Sequence, residues 1–416
     1  MNKPIRIFTP DINMLGEIAN YESLSFVRSW HGIGDFELRI NRHKQYTDVL
    51  QKGNIIAMGK STHKVYRILH REIELDKDGK ATENWRITGL ELKSVVGQRI
   101  TVPPPNTPYD VISGPSETAM KHYINNHLVN PINPSRKINQ LVIAENMGRG
   151  SDMDWQSRFQ SISEEEHIIA MMSGLGWNIK IDYDSKKWLY DVYEGKDLSV
   201  NQDVNNRVIF SPQFNNIKNM SFSDSDLNYR NAAYIGGQGE GIERRIIELG
   251  EAQGLSRHEL FVDARDVPEE MDVDGYSKPQ PRPVADIERD LIASGEKALI
   301  ELSSDLYLEA QMMPPITREE YELEHSYLST LQVYENVIKK ISHSSTFNYE
   351  IDYDLGDIVT IQNKDWGVTL DSRITEIKEI YEVGGFSLEA TFGNNRPTLI
   401  QKIKQELQQI SGEVRK

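Results

Sequence analysis

The chain has 416 residues and a mass of 47.7 kDa, with 38% hydrophobic and 26% charged residues. At roughly 100 to 200 residues per domain this predicts two to four domains with real cores and excludes a disordered tail. Lys and Arg number 47 against 63 Asp and Glu, a formal charge of −16, and there is no cysteine. The charge disfavours wrapping of nucleic acid or binding to anionic lipid, although a negative wall lets passing DNA slide. The missing thiols remove disulfide scaffolds, thiolate zinc, iron–sulfur centres and thiol nucleophiles, and fit a reducing cytoplasm.

Behind Lys3 and Arg6 no long apolar run follows, so no signal peptide is expected. A run of about 18 apolar residues is found nowhere, so no transmembrane helix is expected. Residues 1–102 read as β. Leu24, Phe26 and Trp30, then Phe36, Leu38 and Ile40, alternate with polar neighbours around glycines 32 and 34. The run from Lys64 to Leu75, the turn Asp76-Lys77-Asp78-Gly79, and the run from Asn84 to Thr88 predict a long hairpin. Short strands of this kind suit a barrel or sandwich.

Pro103, Pro104, Pro105 and Pro108 mark a boundary, because no inner strand or helix tolerates so many missing donors. An α/β module is predicted over 103–204. One helix opens at Ser116 and Glu117. A second opens at a capping box of Ser163 and Glu166, with Gly174 and Gly176 as its stop. Trp177, Ile179, Ile181 and Tyr183, a turn at 184–187, and Trp188, Tyr190 and Val192 form a hairpin.

From 205 the period returns to two. The simplest account is a second β domain, 205–249 with 344–396, interrupted by a helical insertion over 250–343. That insertion contains a helix from Val284 to Leu302 and a capping box of Thr317 and Glu320. The last segment, 397–416, reads as a helix whose Ile400, Ile403, Leu407, Ile410 and Val414 are spaced as a heptad seam. Isoleucine at both seam positions favours three or more strands, yet two heptads are too few to hold a coiled coil alone. The seam is therefore a candidate trimer contact or a helix docked on its own domain.

Candidate chemistry is sparse. Gly236-Gly237-Gln238-Gly239-Glu240-Gly241 lacks the Gly-Lys-Ser/Thr ending of a phosphate loop and reads as a glycine-rich turn. In the run Arg257 to Asp266 the second His of a zincin is missing. Asp263 and Asp266, three apart among arginines, read as salt-bridged turn residues rather than a glycosidase pair. The histidines are scattered, and the spacing of His122 and His127 does not put two imidazoles on one α-helical face, so no metal site is expected. No Gly-x-Ser-x-Gly elbow offers a hydrolase nucleophile. The tyrosines and tryptophans sit mostly at alternating strand positions, where packing explains them. In Leu355-Gly356-Asp357-Ile358-Val359, Leu355 packs, Gly356 turns and Asp357 bonds to its own backbone as a strand begins.

Several runs in order resemble the tail-hub (baseplate hub) proteins of long, non-contractile-tailed bacteriophages and prophages of Gram-positive hosts. They are Trp30-His31-Gly32-Ile33-Gly34-Asp35-Phe36-Glu37-Leu38, Lys52-Gly53-Asn54-Ile55-Ile56, Gly89-Leu90-Glu91-Leu92 and Arg99-Ile100. Tyr193-Glu194-Gly195-Lys196-Asp197-Leu198-Ser199, the Gly236 to Gly241 turn, the Arg257 to Asp266 run and Leu355 to Val359 complete the set. The resemblance implies an α+β, multidomain fold: two small β-barrel domains, the second split, with two α/β or helical insertions. It implies a homotrimer whose barrels form a pseudo-sixfold ring at the distal end of the tail tube. Implied partners are the distal tail protein ring, a fibre, spike or lysin on a separate chain, and DNA or tape-measure protein in transit. The implied location is the virion tail tip, after assembly in the host cytoplasm. No catalytic residue, cofactor or membrane binding is implied. The competing expectations are a tail-associated cell-wall hydrolase, glycosidase or peptidase, and a host-glycan-binding tail module.

Overall fold

The computed structural model of the protein describes residues 3–74, 83–271, 278–313 and 347–393. Seven strands build the first part: β1 (Ile5–Phe8), β2 (Met14–Ile18), β3 (Ser23–Ser29), β4 (Asp35–Asn41), β5 (Ile55–Met58), β6 (Val65–Glu72) and β7 (Asn84–Glu91). The expected alternation is what positions them. Leu24 and Phe26 of β3, with Phe36, Leu38 and Ile40 of β4, are buried in one core with Tyr66 and Ile87, and β6 and β7 pair antiparallel as expected, the turn expected at Asp76-Lys77-Asp78-Gly79 lying outside the described residues.

The next part contains β8 (Asp110–Pro115), α1 (Ser116–Ile124), a π-helical turn (Asn125–Val129), β9 (Leu141–Ile143), β10 (Asp152–Ser157), α2 (Ile162–Ser173), β11 (Gly176–Asp182) and β12 (Lys187–Tyr193). β11 and β12 form the expected hairpin, and β9 adds to β12 in parallel. Helix α2 ends at Gly174 in the left-handed region. The capping box at Ser163 and Glu166 does not form. The helix starts at Ile162, and Glu166 shares the inward stripe with Ile162 and Ile169, so its carboxyl is buried against the Tyr190 hydroxyl. Burial pushes that carboxyl well above its ordinary range, against the lowering effect of the Tyr190 hydrogen bond.

The remaining elements are β13 (Ile209–Phe210), β14 (Ile217–Ser225), β15 (Ala232–Gly236), β16 (Ile246–Leu249), β17 (Glu259–Asp263), the short pair β18 (Glu270–Met271) and β19 (Gln280–Pro281), α3 (Val284–Glu301), β20 (Asp305–Met312), β21 (Ile358–Asn363), β22 (Val368–Glu382) and β23 (Gly385–Gly393). Here the pairing departs from the expected boundaries. β20, placed by sequence in the insertion, lies between β14 and β23, because Leu308, Ala310 and Met312 alternate into the second β core. β15, placed by sequence in the β domain, pairs instead with β16 and β17, and its Ala233 and Ile235 pack under Ile287 and Leu291 of α3.

The molecule is mostly β with few helices, but the expected closed barrels are not formed among the described residues. The strands of both β parts make one 13-stranded sheet, ordered β14-β20-β23-β22-β3-β4-β7-β6-β5-β1-β2, with β21 and β13 branching from β22. The cause is β22, which is 15 residues long. Its first residues pair with β21, and its later residues lie between β23 and β3. The strand that would close one barrel thus carries the sheet into the other. Among the described residues no helix is long and apolar enough to cross a membrane. The Thr317–Glu320 capping box and the seam Ile400, Ile403, Leu407, Ile410 and Val414 lie outside the described residues.

Candidate assembly surfaces and a polar junction

On one face of β22, Ile377, Glu379 and Tyr381 follow at period two. Ile377 belongs to the second β core and Tyr381 to the first, so Glu379 stands between them. β3 does the same opposite: Leu24 and Phe26 enter the first core, and Arg28 is the next residue on that face. A buried charged belt therefore separates two apolar cores within one sheet.

The belt is closely partnered. Lys64 Nζ lies 2.5 Å from Glu379 Oε1 and 2.8 Å from Glu350 Oε1. Arg28 Nη1 donates to the Tyr349 hydroxyl at 2.7 Å and to Asp354 Oδ1 at 2.8 Å. His63 Nε2 meets Glu350 Oε1 at 3.0 Å. Burial opposes the Glu350 charge, but the His63 hydrogen bond with Lys64 and Arg28 holds the carboxyl well below the usual range. These contacts clamp the segment around Tyr349 to Asp354 onto the first β part.

Just past the end of β3, Trp30 joins three parts of the chain. Its Nε1 donates to the Gly174 carbonyl at 3.1 Å. Its ring is flanked by Gly176 and Gly356, where an added Cβ would fall 2.3 Å from ring atoms. Gly356 also has φ +94, so both its conformation and its neighbour require glycine. Asp357 then accepts from the nearby Asp354 N–H at 2.9 Å, the strand-entry bond expected from its sequence, and also from the distant Lys196 N–H at 2.8 Å, which was not expected. Three runs that lie far apart in sequence, near residues 30, 195 and 356, meet here.

The other sequence candidates fall as follows. His122 Nε2 and His127 Nε2 lie 2.7 and 2.8 Å from the two oxygens of Asp110. The expectation that their spacing keeps them apart is overturned: His122 lies in the last turn of α1, His127 in the π-helical turn that follows, and both rings reach the one carboxylate. Burial pushes the Asp110 carboxyl up, but the two imidazole donors outweigh it and hold it at about 2. Among the described residues no group of three or more His, Asp or Glu side chains could hold a metal ion.

The Gly236 to Gly241 turn is filled by the chain itself. Arg244 donates to the carbonyls of Gly236 and Gly237 at 3.0 and 2.9 Å and to Asp263 Oδ1 at 2.7 Å. Asp263 also receives Arg265 at 2.8 Å. These two guanidiniums, the Arg265 hydrogen bond first, hold the Asp263 carboxyl well below the usual range, which is wrong for a general acid. Asp266 contributes its backbone carbonyl to the Tyr109 hydroxyl. As expected, several large aromatics, among them Trp177, Tyr66, Tyr123 and Tyr190, are fully buried.

Candidate surfaces for assembly lie elsewhere. β2 and β14 are the outermost strands of the large sheet. The face of the β15–β17 sheet turned from α3 exposes Ile246 and Phe261, and the adjoining turns fully expose Ile242 and Leu255. Exposed apolar groups clustered on one small sheet are what a protein contact uses. Sequence reasoning missed the belt. Its signal was a charge at core phase: Arg28 after Leu24 and Phe26, and Glu379 between Ile377 and Tyr381.

One family model, described as Siphovirus ReqiPepy6 Gp37-like protein, matches residues 4–394. The chain belongs to that family. The tail-protein resemblance read from the sequence is thereby met over nearly the whole chain. In fold, this Gp37-like chain is similar to the tail protein from Neisseria meningitidis MC58, at 11% identity and a TM-score of 0.50, covering 95% of this chain and 97% of that one. It is similar also to the prophage MuSo2 43 kDa tail protein from Shewanella oneidensis, at 8% identity and a TM-score of 0.51, covering 94% and 98%. A prophage tail protein from Listeria monocytogenes EGD-e aligns at 10% identity and a TM-score of 0.46, covering 98% and 99%. At such identities the likeness is one of fold. A search of curated proteins found no match.

Proposed function

We propose that this Gp37-like chain is the hub of a siphovirus-type tail: a structural, non-enzymatic protein at the distal end of the tail tube. Three copies form a pseudo-sixfold ring that joins the tube to the tip or fibres and lets DNA pass. The observation that carries the reading is the family match over residues 4–394, in a chain with two β parts around separate cores. Three copies of such a chain supply six β parts, the number a sixfold tube needs. The charge of −16 fits a lumen to which DNA does not stick.

In this reading the partners are the distal tail ring on one side and a fibre, spike or lysin on the other, assembled in the cytoplasm of a Gram-positive host. The segment 397–416, through Ile400, Ile403, Leu407, Ile410 and Val414, contributes near the threefold axis. Gold-labelled antibody against the chain, imaged on tailed particles, is expected at the distal tip alone. Label elsewhere, or none on intact particles, overturns the hub. Replacing Ile403 and Leu407 with Asp is expected to block incorporation into tails, and unchanged assembly removes the seam from the proposal. The hydrolase alternative predicts clearing of cell-wall gels that is lost on Asp263→Asn or Asp266→Asn. The pairing of Asp263 with two arginines argues against it.

A further inference from the structure

Among the described residues, β15 to β19 and α3 form a small unit whose apolar core, with Ile235, Val267, Ile287 and Leu291, shares no residue with the core of the α/β module. The chain enters this unit from β14 through residues 226–231 and leaves it for β20 through 302–304. The two passages run side by side. The Arg230 N–H donates to the Leu302 carbonyl at 2.9 Å, and the passages continue into the paired strands β14 and β20. A body carried on two adjacent passages is hinged at one place.

Polar groups seat the unit on the α/β module. Lys297 of α3 places Nζ 3.1 Å from Glu165 Oε2, 3.1 Å from the Gln156 carbonyl and 4.1 Å from the centre of the Trp155 ring. The socket that receives it belongs to the α/β module: Glu165, 2% exposed, accepts from Trp155 Nε1 at 2.6 Å and from the Ser157 hydroxyl at 2.8 Å. A second point of contact is the Tyr109 hydroxyl, which donates to the Asp266 carbonyl at 3.1 Å. A polar contact of this kind, unlike a shared apolar core, lets two bodies move relative to each other. Separation opens the socket to water, so neither Lys297 nor Glu165 is left buried without a partner.

We propose that the unit of β15 to β19 and α3 is a hinged arm: Lys297 in the Glu165 socket docks it on the α/β module, and the arm swings off as a folded body about the passages 226–231 and 302–304. The sheet face that exposes Ile246 and Phe261 travels with it, so docking sets where that apolar face is presented. The motion belongs to a single chain and needs no second copy.

The chain has no cysteine, so a pair of spin labels can be placed without competing thiols. The test is the label-to-label distance distribution of the full chain carrying Met172→Cys on α2 and Ala285→Cys on α3, both exposed positions. One narrow distance is expected for the docked arm. Adding Lys297→Met is expected to lower the ratio of docked to swung molecules by about tenfold and to spread the distances outward. Glu165→Gln removes the charge from the socket side and is expected to give the same shift. Amide hydrogen exchange of 232–236 and 259–263 is expected to stay unchanged in both variants, because the arm keeps its own core. Unchanged distances in either variant, a broad distribution already in the parent, or lost protection of 232–236 and 259–263 on Lys297→Met overturns the arm.

Discussion

Lys64 places its ammonium 2.5 Å from Glu379, with each side chain only 2% exposed, at the plane where two apolar cores of one sheet meet. Glu379 Oε1 takes no directed hydrogen bond, so charge rather than bond geometry holds this contact, while Oε2 accepts the Tyr381 hydroxyl at 2.8 Å. Buried pairs of this kind contribute little net stability when intact and cost heavily when halved.

Removing one partner should therefore hurt more than removing both. Glu379→Leu and Lys64→Met, made singly, are each expected to lose about 3 to 5 kcal/mol, and the double variant is expected to recover much of that. Urea unfolding of the three proteins measures the coupling. Additive losses would mean that the pair is not a unit.

Trp30 is expected to matter to three parts at once. Trp30→Ala should cost about 3 to 5 kcal/mol and expose the chain near Gly174 and Gly356 to protease. Trp30→Phe keeps the packing and loses the bond to Gly174, a cost of about 1 kcal/mol. Thermal unfolding with limited proteolysis distinguishes the two. A silent Trp30→Ala would remove the indole from the junction.

Acid should release the Asp110 clasp. Its carboxyl is held at about 2 in the folded protein, below its ordinary value of 3.8. The stabilisation is present above the ordinary value and is lost as pH falls from there through 2. It amounts to about 2 kcal/mol. Comparing wild type with Asp110→Asn by denaturant unfolding between pH 5 and 2 should show a steeper loss in wild type. Parallel curves would count against the clasp.

Arg244 is expected to hold the glycine-rich turn. Arg244→Ala removes its bonds to Gly236, Gly237 and Asp263, and should raise hydrogen exchange across the turn while leaving the large sheet unchanged. Exchange unchanged at 236–241 would show that the turn stands without it.

Much of the local structure was legible. Period two set β3, β4, β11 and β12, and the run from Val284 set α3, because each is amphipathic on its own scale. What escaped was non-local. Nothing near Leu308 says which sheet β20 joins, since its partners Phe222 and Phe392 are each more than 80 residues distant. Glu166 read as a cap because its spacing from Ser163 fits one, and only the fold reveals Tyr190 waiting inside. The π-helical turn has no compositional mark, so His122 and His127 were placed on different faces. The charged belt needed two strands to be seen together, since Arg28 and Glu379 each look like an isolated polar residue until β3 lies on β22.

The 15-residue β22 has a mechanical consequence. Its hydrogen bonds to β3, β21 and β23 run across the strand direction, so tension along its axis loads them in parallel, as shear, instead of opening them one at a time. One uninterrupted backbone is also anchored in both cores, so a pull on either β part reaches the other without crossing a loop. The strand works as a tie rod, and a protein that must stay whole under axial force is well served by one.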